Sequence, residues 1–128
     1  MTNYSRQRAE ILDLLKTNYN HPTAEEIYLI LKTNGSTSSR STVYRNLGLL
    51  SQQDQIRKIT VTDAPDRYDF IRYEHGHIVC SGCKKVFDFN YDFNHEEIKK
   101  SIQEQTKADI SNNMTILCLC NSCQKASL

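Results

Sequence analysis

Apolar residues recur at helical spacing through the first half of the chain and at strand spacing through the second. Ile11, Leu12, Leu15 and Tyr19 form one stripe, and Ile27, Ile30 and Leu31 form another. Both follow the three-to-four-residue period of an amphipathic helix. Between them, His21-Pro22-Thr23-Ala24-Glu25-Glu26 marks a helix start. Thr23 is placed to accept from the backbone three residues on, and Glu26 to reach back as the second arm of a capping box. Asn34-Gly35 predicts the stop. A third helix is expected to start among residues 38–41 and run to about residue 53, burying Val43, Leu47 and Leu50. Residues 56–61 then read as a strand, 62–66 as a turn and 67–72 as a returning strand.

Three short helices and a hairpin are the plan of a winged helix-turn-helix, whose third helix enters the DNA major groove. Beyond it the pattern changes. Strands are expected at 77–80 and 86–89 around a turn at 81–84. A polar helix follows at 96–107, with Ile98 and Ile102 inward and His95 at its start, and then a last strand at 114–119. The fold class is therefore α+β: a winged helix over 1–63, a hinge at 64–67 and a small α/β domain over 68–128.

Charge sharpens this only locally. The 128 residues hold 16 Lys and Arg against 15 Asp and Glu, a net charge of +1, which excludes a polycation. Residues 1–63 carry eight basic side chains against six acidic, whereas 64–128 carry eight against nine. Arg40, Arg45, Arg57 and Lys58 all fall on the third helix and the wing. With 38% hydrophobic and 24% charged residues the chain is expected to be globular. No apolar run approaches the roughly 20 residues of a membrane helix, and no basic start leads into an apolar signal region. A cytoplasmic protein with no membrane partner is expected.

The five cysteines carry more specific information. Cys80 and Cys83 form one Cys-x-x-Cys unit, Cys120 and Cys123 another, with 36 residues between them. Two such turns offer four thiolates for a closed, structural Zn(II) site, against the alternative of buried thiols or disulfides. Cys118 alternates with Met114 and Ile116 on a strand face and reads as a buried bystander thiol. His75 and His77 share one strand face. With His21, Asp69 and Asp88 they form a nitrogen and oxygen donor set suited to Fe(II), Mn(II), Co(II) or Zn(II). Taken singly, each is an ordinary surface or capping residue, and only convergence would make a site.

Several segments together resemble the ferric uptake regulator (Fur) family of metalloregulators. They are Arg6-Gln7-Arg8, His21 through Tyr28, Ser41-Thr42-Val43-Tyr44-Arg45-Asn46-Leu47, Arg67-Tyr68-Asp69-Phe70, His75 through Cys83, and Cys120-Asn121-Ser122-Cys123-Gln124. The resemblance implies a winged-helix DNA-binding domain and a C-terminal dimerisation domain. It implies structural zinc on Cys80, Cys83, Cys120 and Cys123, and a regulatory metal held between domains by His21, Asp69, His75, His77 and Asp88. Aspartates at 69 and 88, where iron-sensing members often have glutamates, resemble the peroxide-sensing PerR branch. That branch holds Fe(II) or Mn(II) and senses peroxide by oxidation of a ligand histidine, by position His21 or His75. Other features depart from that branch. Arg45 stands where peroxide sensors often have asparagine, and the chain begins only a few residues before Arg6, which reduces the expected arm contacts. Ser111-Asn112-Asn113-Met114 lacks the histidines of the auxiliary site found in some members, and no cysteine stands near Asp69 as in zinc-uptake regulators.

The expected function is a homodimeric, metal-dependent repressor of a palindromic operator, a sensor and not an enzyme. An iron- or manganese-responsive uptake regulator is the alternative within the family. A zinc-stabilised interaction module, or a zinc hydrolase, is the alternative outside it. On the DNA side, Tyr44 is expected to pack on a thymine methyl and Arg45 to donate to guanine or enter a narrow groove. Ser39, Arg40, Ser41 and Thr42 are phosphate candidates at the helix start, as are Arg57 and Lys58 in the wing, where a plain solvated hairpin face is the competing reading. Arg45→Ala is expected to weaken operator binding while metal content stays intact; unchanged operator affinity would remove Arg45 from this role.

Overall fold

The computed structural model describes residues 3–71, 75–90, 94–110 and 114–126. The chain divides into two units, Met1–Tyr73 and Glu74–Leu128. The first contains α1 (Asn3–Thr17), α2 (Ala24–Thr33), α3 (Arg40–Gln52), β1 (Ile56–Ile59) and β2 (Arg67–Phe70). The apolar stripes of the three helices meet in one cluster. Ile11 and Leu15, Ile27 and Leu31, and Val43, Leu47 and Leu50 pack with Ile56 and Tyr68. Tyr19 does not extend the first stripe: α1 ends at Thr17, and Tyr19 lies beyond it, 64% exposed.

Local chemistry sets the helix ends. Thr23 caps α2 by accepting from the Glu26 N–H at 3.2 Å. The second arm of the capping box closes differently from expectation, because the Thr23 hydroxyl donates to the Glu26 carboxylate at 3.1 Å. At the other end, Gly35 adopts φ +90, and the Gly35 and Ser36 N–H groups donate to Lys32 and Leu31 carbonyls. This is the Schellman arrangement, and its left-handed residue favours glycine. Ser39 caps α3 by accepting from the Thr42 N–H at 3.2 Å.

β1 and β2 pair antiparallel from Ile56↔Phe70 to Ile59↔Arg67. The expected 64–67 hinge is therefore mostly the turn of the wing, and β2 belongs to the first unit rather than the second. The divide falls several residues later, after Tyr73. The returning strand ends at Phe70, short of residue 72, which lies outside the described residues. The segment before α2 runs along this strand: the Tyr68 N–H donates to the Pro22 carbonyl at 2.9 Å, and Thr23 bridges Arg67. That lays residue 21 beside β2.

The second unit contains β3 (Gly76–Cys80), β4 (Val86–Phe89), α4 (His95–Thr106), β5 (Thr115–Cys118) and α5 (Asn121–Ala126). Strand order is β4-β3-β5, with β3 antiparallel to β4 and parallel to β5. A parallel neighbour requires a crossover connection, which contains α4. Asn94 caps α4 by accepting from the Glu96 and Glu97 N–H groups, as expected for a helix starting at His95. Ile98 and Ile102 are not inward, however. Each is 40% exposed, and no residue of α4 is buried. The helical period identified the apolar face correctly, but this small sheet unit does not cover it. Of the segment 111–114, read above as lacking auxiliary histidines, residues 111–113 lie outside the described residues. The short α5 had no periodic signal to reveal it.

Leu47 is fully buried at the centre of the first cluster. Leu47→Ala is expected to lower unfolding free energy by about 2–5 kcal/mol through lost transfer energy and a residual cavity. Urea denaturation measures this, and an unchanged midpoint would contradict the packing described.

Candidate functional site

The two Cys-x-x-Cys turns converge in the second unit. The Sγ atoms of Cys80, Cys83, Cys120 and Cys123 all lie within 4.8 Å of one another. Cys80 ends β3, and its carbonyl accepts from the Lys84 N–H at 3.0 Å, folding the first turn back on the strand. Cys120 follows β5, and its carbonyl accepts from the Gln124 N–H at 2.9 Å, opening α5. The parallel register Cys80↔Cys118 brings the two turns side by side. Gly82 permits the approach. A Cβ there would stand 2.9 Å from Cys123 Sγ, closer than real side chains come.

The electrostatics match a cation site. Cys120 and Cys83 N–H groups point at Cys80 Sγ at 3.4 and 3.5 Å. Led by the Cys120 N–H, these donors hold the Cys80 thiol down to about 5. Hydrogen bonding to Cys80, then to Cys120, pushes Cys123 up to about 12. Four crowded sulfurs cannot all ionise alone, and a divalent ion removes that conflict. Tetrahedral Zn(II) with bonds of about 2.3 Å sets neighbouring sulfurs about 3.8 Å apart. Cys83 and Cys120 Sγ stand 3.9 Å apart, so the donor set and its spacing fit that ion. Cys118 is half-buried on β5, outside this cluster, and its thiol is raised first by burial.

A second cluster forms on β3 and β4. His75 Nε2 and His77 Nε2 are 3.1 Å apart. Asp88 Oδ1 lies 3.3 Å from the first and 3.2 Å from the second. The register His77↔Asp88 sets this up, and the strand period returns His75 to the same side. Gly76, between the histidines, faces Phe89, whose ring would lie 2.2 Å from an added Cβ. An ion bound at about 2.1 Å spaces adjacent donors by about 3.0–3.4 Å. Two imidazoles and one carboxylate at this spacing fit a first-row divalent ion, and the combination suits Fe(II).

The first unit contributes its own pair. His21 and Asp69 are 5% and 2% exposed, with Nε2 and Oδ2 3.9 Å apart. His21 sits at φ 52, an uncommon backbone conformation for a residue with a side chain. Its carbonyl accepts from Arg67 Nη1 at 2.9 Å, which helps hold that conformation in place. Such local strain recurs at functional sites. Arg67 was missed in the sequence, where nothing links it to a residue 46 positions away.

The expected DNA-contacting residues gather along α3 and the wing. Tyr44 is 49% exposed, and Arg40, Ser41, Arg45 and Lys58 are also exposed, whereas Thr42 and Arg57 are half-buried. The Ser39 hydroxyl serves the α3 cap, donating to Thr42 Oγ1 at 2.9 Å. Arg45 lies over the Tyr4 ring at 5.7 Å. Arg40 is clamped by Glu25, a residue the sequence reading treated only as a helix-start acid.

A sequence model described as the ferric uptake regulator family matches residues 2–117. The peroxide-responsive repressor PerR of Staphylococcus aureus is 35% identical over 119 residues, covering 92% of this chain and 80% of that protein. Among solved structures, the ferric uptake regulator Fur of Helicobacter pylori, reported with three functional metal binding sites, superposes with TM-score 0.78 at 27% identity. The match covers 95% of this chain and 84% of that one. The Campylobacter jejuni peroxide stress regulator gives TM-score 0.76 at 26% identity, covering 94% and 90%.

Gly82→Ala is expected to drive a methyl into the Cys123 sulfur and to weaken zinc retention about tenfold or more, the size of effect seen when the surroundings of metal ligands are disturbed. Zinc release to a chromogenic chelator reads this out. Retention equal to the wild type would show that the two turns do not share an ion.

Proposed function

The chain belongs to the ferric uptake regulator family, and from that premise we propose that it is a metal-dependent repressor that binds duplex DNA as a homodimer and senses peroxide. Structural Zn(II) sits on Cys80, Cys83, Cys120 and Cys123. Regulatory Fe(II) or Mn(II) is held by His75, His77 and Asp88 of the second unit together with His21 and Asp69 of the first. The observation that carries this reading is the pair of imidazoles and one aspartate within 3.1–3.3 Å of one another on β3 and β4, a donor set that suits Fe(II). The 35% identity to a peroxide-responsive repressor supports the same choice.

When bound, Fe(II) would supply the one-electron chemistry that splits the O–O bond of peroxide; in the net change one oxygen of peroxide enters the imidazole, which is oxidised by two electrons, and the other leaves as water. The chain's own part is to hold His21 and His75 as the side chains that are oxidised. One side chain is consumed per event, so the protein acts as a sensor and not as an enzyme. Ligands drawn from both domains make the metal a clamp on their relative orientation. The ion favours that orientation by its differential affinity for it. A dimer held this way presents two α3 helices to a palindromic operator. Exposed Ile116, Leu117 and Leu119 on and beside the edge strand β5 support the dimer. No described helix is long and apolar enough to cross a membrane, and a DNA regulator of this kind works in the cytoplasm. Arg45 favours a second reading, an iron- or manganese-responsive regulator of uptake.

Mass spectrometry separates the two. The Fe(II)-loaded protein, exposed to low peroxide and digested, is expected to gain one oxygen atom on the peptide containing His21 or His75 and to lose its DNA shift. No added oxygen with DNA binding retained would favour the uptake regulator. No metal-dependent shift of any palindromic duplex would leave a zinc-stabilised interaction module.

A further inference from the structure

Glu25 occupies the first turn of α2, with Arg40 and Tyr44 one turn apart on α3. Arg40 Nε donates to both Glu25 oxygens, at 3.1 and 3.0 Å, and Nη2 donates to Oε1 at 3.0 Å. The guanidinium also lies over the Tyr28 ring at 4.5 Å. The Tyr44 hydroxyl donates to Oε2 at a long 3.5 Å. One carboxylate therefore binds two of the side chains that the DNA-reading helix presents to solvent.

The placement runs against simple electrostatics. A carboxylate on a DNA-facing surface repels phosphate and removes a counterion-releasing charge. Its value to the fold is small, because the Arg40 and Glu25 side chains remain 60% and 43% exposed, and exposed pairs add little. The Arg40 hydrogen bonds lower the Glu25 carboxyl from its ordinary value, favouring the anion that a glutamate already is at neutral pH. What the clamp does change is freedom. A free arginine reaches any nearby phosphate. Arg40 is instead fixed on two sides by Glu25 and Tyr28, with Nε and Nη2 engaged by the carboxylate.

We propose that Glu25 is a specificity-determining residue of the recognition helix, which withholds Arg40 and Tyr44 from indiscriminate phosphate contact and presents them in one fixed arrangement. Non-specific duplexes, which offer mainly phosphates, are penalised by the lost charge. A cognate duplex, which matches the fixed side chains, is penalised less. Specificity is a difference of two affinities, and a built-in repulsive group raises it. Glu25 acts through Arg40 and is a positioning residue in that sense.

This rests on the DNA-binding reading above, and the test separates the two. The full chain, loaded with Zn(II) and Mn(II), is titrated with a random-sequence duplex and with the duplex that the wild type itself enriches from a random library. Glu25→Gln is expected to tighten binding to the random duplex about three- to tenfold. It should also steepen the log–log salt dependence by about one, as one phosphate contact is gained. Cognate affinity should change less, so the specificity ratio falls at least about threefold. In an Arg40→Ala background the same change is expected to lose most of its effect. An unchanged ratio, or an equal gain without Arg40, overturns the proposal while leaving DNA binding intact. A wild type that binds neither duplex overturns the DNA-binding reading and this proposal with it. The thermal midpoint of Glu25→Gln, expected near wild type, shows that the effect is not misfolding.

Discussion

Four sulfur atoms within 4.8 Å of one another form the constraint on which the second unit depends. Among its described residues, the buried apolar side chains are only Val79 and Cys80. A unit this small with so little buried surface does not obtain its stability from the hydrophobic effect alone. Thiolate–metal bonds can supply it, since structural zinc contributes roughly 10–16 kcal/mol of apparent folding free energy in small domains. Such bonds would tie the end of β3 to the segment after β5. That fixes the strand whose other end holds His77 opposite Asp88. The nitrogen and oxygen cluster is thus built on a strand anchored by the sulfur cluster.

The first unit is stabilised in another way. Three helices and two strands close an apolar core, and the polar chemistry is confined to its rim. Thr23, Ser39 and the Gly35 turn fix where α2 and α3 begin and where α2 ends, and the core fixes which face of α3 remains outside. His21 enters this unit in a left-handed conformation, beside β2 and near Asp69. A reader held by an apolar core tolerates changes at metal ligands without losing its fold. In the proposed function, that lets oxidation of one histidine alter domain orientation while α3 stays intact.

Charge on the recognition surface is arranged rather than merely accumulated. The net charge of +1 left DNA binding open without explaining it. At the start of α3 an arginine is matched by a carboxylate and an aromatic ring, so the surface presents geometry more than bulk potential.

Much of this was legible in the chain itself, for reasons of short range. The capping Thr23, the Asn34-Gly35 stop, the buried Val43, Leu47 and Leu50, and the paired Cys-x-x-Cys turns are all encoded within a few residues, where helix and strand periods hold. Misreadings arose where a neighbour distant in sequence decides. Ile98 and Ile102 lie on an apolar helix face, yet whether that face is covered depends on what packs there. The expected bounds of 1–63 and 68–128 cut through the expected hairpin, whereas the ladder of β2 with β1 keeps Arg67–Phe70 in the first unit. The sequence by itself determined the family, the donor types and the order of elements as far as β5, because those depend on residue identity and local spacing. Only the tertiary structure decided which donors meet, as with Asp88 between His75 and His77, Arg67 on the His21 carbonyl and Glu25 on Arg40. Strand register and helix packing bring such groups within hydrogen-bond reach, and neither is written in the spacing between them.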